Sequence, residues 1–131
     1  MFLTKESDYG LRIIRALAGG EKKTGKAICG EEHIPEQYAY KILRKLESAG
    51  FVRSIRGRDG GYHLIRPLHT ITLHDIVSAV DGNLFLFECL HGNSICMRNT
   101  PEEPCYIHQE LKHIQNKIID EMRRKTMDEI L

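Results

Sequence analysis

The sequence predicts a mainly α-helical chain with one small β-hairpin and a long C-terminal helix. Three observations carry that expectation. Apolar residues recur at helical spacing in several separate stretches. Two short alternating stretches flank the glycine-rich run Gly57-Arg58-Asp59-Gly60-Gly61. A length of 131 residues with 41% hydrophobic and 28% charged content suits one folded core rather than a disordered or membrane-embedded chain.

In chain order, Tyr9, Ile13, Ile14, Leu17 and Ala18 share one helical face, Thr4, Ser7 and Asp8 suit a helix start, and Gly19-Gly20 supplies a stop. The first helix is therefore expected from about Lys5 to Ala18. Thr24 is placed to cap a short second helix running to about Glu32, with Ala27, Ile28 and Cys29 turned inward. Pro35 suits the first turn of a third helix, where its missing N–H costs nothing, and Ala39, Ile42, Leu43 and Leu46 form an apolar stripe that ends at Gly50. Gln37, Tyr40, Lys41 and Arg44 lie on the opposite face. Residues 51–56 and 62–66 then alternate as the two arms of a hairpin with a glycine-rich, basic tip. Thr72 and Asp75 have the spacing of a capping box, with Asp in place of Glu or Gln, and open a fourth helix that Gly82 ends after Asp81. From Gly82 to about Pro104 no helical period persists. Beyond it, Ile107, Leu111, Ile114, Ile118 and Met122 mark a long amphipathic helix.

Helix, short helix, basic helix and basic hairpin, in that order, are the parts of a winged helix-turn-helix. The charge agrees. Residues 1–66 hold 13 of the 19 Lys+Arg and 8 of the 18 Asp+Glu, a surplus of +5, while the remainder carries −4. Between Lys41 and Arg66 seven basic residues face two acidic ones. A local basic segment on a nearly neutral chain is the footprint of phosphate-backbone binding. In such a unit the third helix enters the major groove and the wing lies along the backbone or in the minor groove. Gln37, Tyr40, Lys41 and Arg44 are thus the expected base-edge contacts and Arg56 and Arg58 the wing contacts, with Gly60 and Gly61 allowing close approach to DNA. The long helix would span about 30 Å, as wide as the domain itself, and is expected to pair with a second copy. A homodimer reads a pseudo-palindromic double-stranded operator.

Cys29 stands apart and reads as a small buried hydrophobe. Cys89, Cys96 and Cys105 lie close together with His91 and His108 beside them. Clustered thiols with imidazole select zinc or iron-sulfur centres. Structural zinc favours tight C-x2-C pairs, absent here, whereas the wide spacing suits a larger inorganic cluster. A metal-free thiol switch uses the same residues.

The chain resembles the Rrf2 type of bacterial winged-helix transcriptional regulators, in its iron-sulfur sensing branch. The resemblance rests on Leu3-Thr4, Asp8-Tyr9-Gly10-Leu11-Arg12, Ile34-Pro35-Glu36-Gln37-Tyr38, Lys41-Ile42-Leu43-Arg44-Lys45-Leu46, Gly50-Phe51-Val52, Arg56-Gly57, Gly60-Gly61-Tyr62-His63-Leu64, Ile71-Thr72-Leu73-His74-Asp75-Ile76 and the three loop cysteines. It implies a dimeric transcription factor whose cluster, 2Fe-2S or 4Fe-4S, is held by Cys89, Cys96 and Cys105. The fourth ligand varies in the family between a carboxylate near the N-terminus, donated by the partner subunit in the nitric-oxide sensor, and a histidine two residues beyond the last cysteine, where this chain has His108 three residues beyond Cys105. Asp8 and His108 match these two, and Asp8-Tyr9-Gly10-Leu11-Arg12 is more like the nitric-oxide-sensing branch. The cysteine spacing is wider than in the members it resembles, and some relatives that regulate cysteine metabolism lack the triad.

The organisation expected is a winged helix-turn-helix over 1–81, with its wing at 51–66, a cluster-binding loop over 82–105, and a dimerisation helix over 106–131. The expected function is transcriptional regulation, as a repressor, with operator affinity set by a cluster that senses nitric oxide, redox state or iron supply. The alternatives are a zinc-stabilised or cluster-free thiol switch and, from another class, a small iron-sulfur electron carrier. Neither a phosphate loop nor a nucleophile elbow nor paired catalytic carboxylates point to an enzyme. No apolar stretch reaches the length of a membrane span, and Met1-Phe2-Leu3-Thr4-Lys5-Glu6 lacks the order of a secretory leader, so a cytoplasmic location is expected.

Overall fold

The computed structural model describes residues 3–131; Met1 and Phe2, which open both the expected 1–81 unit and the stretch read for a leader, lie outside the described residues. Helix α1 (Lys5–Ala16) is capped by the Thr4 hydroxyl, which accepts from Ser7 N–H at 3.2 Å. It stops two residues short of the expected Ala18, because Ala18 and Gly20 turn their N–H groups back by only three residues, onto Arg15 O and Leu17 O, and Gly20 takes φ +82°. Helix α2 (Gly25–Glu32) is capped by Thr24 as expected and ends at His33, whose φ of +53° makes the sharp turn into α3 (Glu36–Ser48). Pro35 serves as the N-cap of α3, one position before the expected first turn. Ala39, Ile42, Leu43 and Leu46 are fully buried, and Gly50 closes the helix at φ +80°.

Strands β1 (Val52–Ile55) and β2 (Gly61–Leu64) pair antiparallel, Val52 opposite Leu64 and Ile55 opposite Gly61. Lys23 adds a one-residue bridge to Tyr62, with N–H to O distances of 2.9 and 2.7 Å, and fastens the wing to the stretch before α2. Helix α4 (Leu73–Asp81) starts on the complete Thr72/Asp75 capping box and ends at Gly82. Together α1, α3 and α4 enclose one core, with Ile13, Ile14, Leu17, Ile42, Leu43 and Ile76 wholly inaccessible to solvent. Burial of six such aliphatic side chains is the dominant force holding the winged-helix unit together.

Two expectations need correction here. Ala27 is exposed, and Gly25 is buried instead. The ring of Tyr40 fills the space above Gly25, where an added Cβ would lie 2.6 Å from Cε1, so α2 turns its backbone rather than Ala27 toward α3. The C-terminal helix is also not continuous over 106–131. Helix α5 (Tyr106–Arg124) breaks at Lys125, whose backbone is extended, and a short α6 (Met127–Ile130) follows. Thr126 bridges to Thr72, Met127 N–H donates to Ile71 O at 2.7 Å, and the Met127 side chain is buried in the core of the winged-helix unit, the head of the molecule. The chain gives up helix continuity to bury that side chain. Among the described residues no helix is long and apolar enough to cross a membrane.

Candidate nucleic-acid interface and metal centre

The turn between α2 and α3 sets α3 with its apolar stripe against α1 and α4, which leaves Gln37, Lys41 and Arg44 exposed on the outer side. Tyr40, the fourth residue expected there, is half-buried under α2 beside Gly25, and that burial pushes its phenol up from the ordinary value. The wing brings Arg53, Arg56 and Arg58 to the same basic half, all exposed. None of the ion pairs among the described residues uses Arg44, Arg53, Arg56 or Arg58, so these guanidinium groups are available to phosphates. Lys41 and Lys45 differ. Their ammonium groups lie 2.5 and 2.8 Å from the two carboxylate oxygens of Glu6 in the first turn of α1, and Lys45 also donates to Val80 O at 2.8 Å. Sequence periodicity gave no sign of Glu6, because its partners come from another helix.

Gly60 and Gly61 have reasons internal to the fold. A Cβ on Gly60 would lie 2.4 Å from Ile55 O, and one on Gly61, at φ +150°, would lie 2.7 Å from Lys23 O. Both glycines are required to close the hairpin and seat it on Lys23, whatever the wing touches.

Residues 82–105 form a series of tight turns. Leu86 N–H donates to Oε1 of Gln115, a buried residue of α5, at 2.8 Å. Cys89 sits in a single 3-10 turn (Glu88–Leu90), followed by turns closed at Ser94 and Asn99. Cys105 is the N-cap of α5: its Sγ accepts from His108 N–H at 3.5 Å, and its own N–H donates to Asn99 Oδ1 at 2.9 Å. Cys105, not His108, thus caps the long helix. All four cysteines are free thiols, each half-buried. Cys89, Cys96, His91 and His108 line one cavity of about 700 Å³, with Lys112 and Gln115 on its α5 wall. Cys105 borders the neighbouring cavity, which shares Met97. Nδ1 of His108 is buried without a hydrogen-bond partner. Among the described residues no three His, Cys, Asp or Glu side chains are close enough to hold a single metal ion. Asp8 is exposed on α1, paired with Arg12 at 2.9 Å. Cys29 packs against the core from α2, and burial raises its thiol pKa above the ordinary value, in keeping with a structural role.

The family model described as "Rrf2: Iron-dependent Transcriptional regulator" matches residues 3–131. The chain belongs to the Rrf2 family. Its relatives include the HTH-type transcriptional regulator NsrR of Geobacillus kaustophilus (strain HTA426), 32% identical over 117 residues that span 86% of this chain and 80% of that protein. The global cysteine regulator CymR of B. subtilis has the same fold at 23% identity and a TM-score of 0.78, covering 99% of this chain and 95% of its own. An oxidised form of Staphylococcus aureus CymR superposes at 25% identity with a TM-score of 0.74, covering 97% and 93% of the two chains. As an Rrf2 protein the chain is a winged-helix, DNA-binding transcriptional regulator and not an enzyme. The electron-carrier alternative is thereby set aside.

Proposed function

We propose that this regulator is a homodimer, a repressor of a pseudo-palindromic operator, whose DNA affinity is set by an iron-sulfur cluster on Cys89, Cys96 and Cys105. The observation that carries the reading is the convergence of Cys89, Cys96 and His108 on one cavity, with the Cys105 thiol at the start of the helix that walls it. Thiolate and imidazole donors fit iron. The first turn of α5, with its free N–H groups, suits the negative charge of a ligating sulfur. The wide sequence spacing of the three cysteines, with no tight C-x2-C pair, agrees with a multi-iron group rather than with structural zinc.

Two residues compete for the fourth position. The family resemblance favours Asp8 of the partner subunit, and the cavity geometry favours His108, whose buried Nδ1 otherwise lacks a partner. When bound, the cluster supplies irons that react with nitric oxide or oxidants and are lost when iron is scarce. The chain's own residues convert that chemistry into DNA affinity. Loop 82–105 joins α4, at the base of the reading head, to α5, whose Tyr106, Ile107 and Ile114 are exposed and form the face offered to a second copy. Ordering the loop therefore acts on α5 and, through its mooring to the head at Met127, on the separation of two α3 helices on DNA.

The test is oxygen-free purification followed by iron and sulfide quantitation and Mössbauer spectroscopy, with Cys96→Ala, Asp8→Ala and His108→Ala in parallel. The wild type is expected to carry iron and sulfide, Cys96→Ala to be colourless, and one of the other two to lose its cluster. Wild-type protein without iron, binding duplexes equally well with and without the three cysteines, overturns the reading. A second reading, a cluster-free thiol switch, is favoured by the similarity to a cysteine regulator solved in an oxidised form. It requires iron-free protein whose DNA affinity changes with thiol oxidation.

A further inference from the structure

The charge on α3 is not freely offered. Of its three cations, Arg44 is unpaired among the described residues, while Lys41 and Lys45 both meet Glu6 of α1. The contact is built. Each carboxylate oxygen of Glu6 takes one lysine, at 2.5 and 2.8 Å, and Lys45 is held a second time by Val80 O. The first turn of α1 that carries Glu6 is itself anchored, because the Thr4 and Ser7 hydroxyls both donate to the Asp81 carboxylate at the end of α4. Three quarters of the Glu6 side chain is covered, whereas Lys41 stays more than half exposed at 55%. The two lysines also hold the Glu6 carboxyl below its ordinary value, so the clamp is charged at neutral pH.

We propose that Glu6 is a positioning residue that sets the sequence specificity of α3 by holding Lys41 and Lys45 against promiscuous contact with phosphates. The proposal rests on α3 being the reading helix. An ammonium group has three N–H donors. With one given to Glu6, Lys41 keeps two for acceptors on a base edge, such as O6 and N7 of guanine, and its stem no longer sweeps toward the backbone. Lys45, with two donors already spent, has little left for DNA. A lysine released onto a phosphate adds affinity for every sequence alike and none for the right one. Clamping the pair therefore lowers non-specific binding more than specific binding, which widens the ratio between them.

The experiment compares a duplex selected by the wild-type protein from a random library with a scrambled duplex of the same composition, over a series of salt concentrations. Glu6→Gln is expected to bind the scrambled duplex about tenfold more tightly, to steepen its salt dependence by about one to two units at roughly 0.9 per phosphate contact, and to lower the selected-to-scrambled ratio at least tenfold. A second variant, Lys41→Met, does not depend on Glu6→Gln folding well. It is expected to lose about tenfold in affinity for the selected duplex while leaving the salt dependence on the scrambled duplex unchanged. If Glu6→Gln folds and binds both duplexes as wild type does, while Lys41→Met still loses selective binding, Glu6 has no such role and the reading helix stands. If Lys41→Met instead lowers the scrambled-duplex slope by about 0.9, Lys41 is an ordinary phosphate contact and the proposal fails. If Lys41→Met binds both duplexes as wild type does, α3 is not reading with this face and the proposal falls with that premise.

Discussion

At the scale of single residues, the molecule separates glycines that the fold demands from glycines it merely tolerates. An added methyl at Gly60 strikes two carbonyl oxygens, at 2.4 and 2.8 Å, while one at Gly30 in α2 meets nothing within 4 Å. Gly60→Ala should therefore cost about 1–3 kcal/mol of strain at the wing tip, and Gly30→Ala should stabilise the chain by about 0.5–1 kcal/mol through a stiffer unfolded state. Urea unfolding of the two variants beside wild type checks both signs, and faster amide exchange in 52–64 for Gly60→Ala locates its damage. Sequence reading assigned Gly60 to the DNA, because a glycine shows that a Cβ is unwelcome without showing what would collide with it. Gln115 went unseen for the opposite reason. Leu111, Gln115, Ile118 and Met122 step by the same period as the apolar set first chosen, and a polar residue in phase with a buried stripe was the available signal. The structure buries Gln115 and leaves Ile114 41% exposed.

At the scale of elements, caps and stops were legible and partners were not. Thr4, Thr24 and Thr72 each announce a helix by offering a hydroxyl to a free N–H, a local chemistry that needs no tertiary knowledge. The break before α6 had the same kind of signature, because Thr126 and Glu129 form a capping box, but the hydrophobic period leading up to it masked the stop. The hairpin was legible from its glycines, whereas its fastening to Lys23 was not, since a one-residue bridge leaves no pattern. For the candidate site, residue types and spacing named the cysteines and His108, and only folding could show that Cys105 caps α5 and that His91 joins the cavity. The wing carries its own prediction. Arg58 is exposed and enters none of the ion pairs among the described residues, so Arg58→Ala should weaken binding to all duplexes alike and lower the salt slope by about 0.9. A slope equal to wild type in fluorescence-anisotropy titrations would take the wing tip off the backbone.

At the scale of the whole molecule, acid loosens the fold in two stages. Burial and the nearby Arg123 hold His74 below its ordinary value of 6.5, at the joint where its Nε2 meets Ser78 of α4 and Arg123 of α5. A histidine lowered by folding stabilises the native state while neutral, so that contribution is present above pH 6.5 and is lost as pH falls below it. Glu32, held down by Arg15, and Glu47, held down by the backbone N–H and hydroxyl of Ser54, lie below their ordinary 4.5. Their contribution is present above pH 4.5 and lost on further acidification. Urea midpoints of iron-free protein should decline gently below pH 6.5 and steeply below pH 4.5, and His74→Gln should abolish the first decline only. An unchanged upper decline in that variant would clear His74. The seating of Met127 in the head has a mechanical consequence. Because α5 is moored to the head beyond its far end by that side chain and held at its middle through Gln115 to Leu86 of the loop, its 19 residues, about 28 Å long, form a crank rather than a tether. A rod held at two points passes a force applied at its thiol end into the head rather than losing it in a slack hinge.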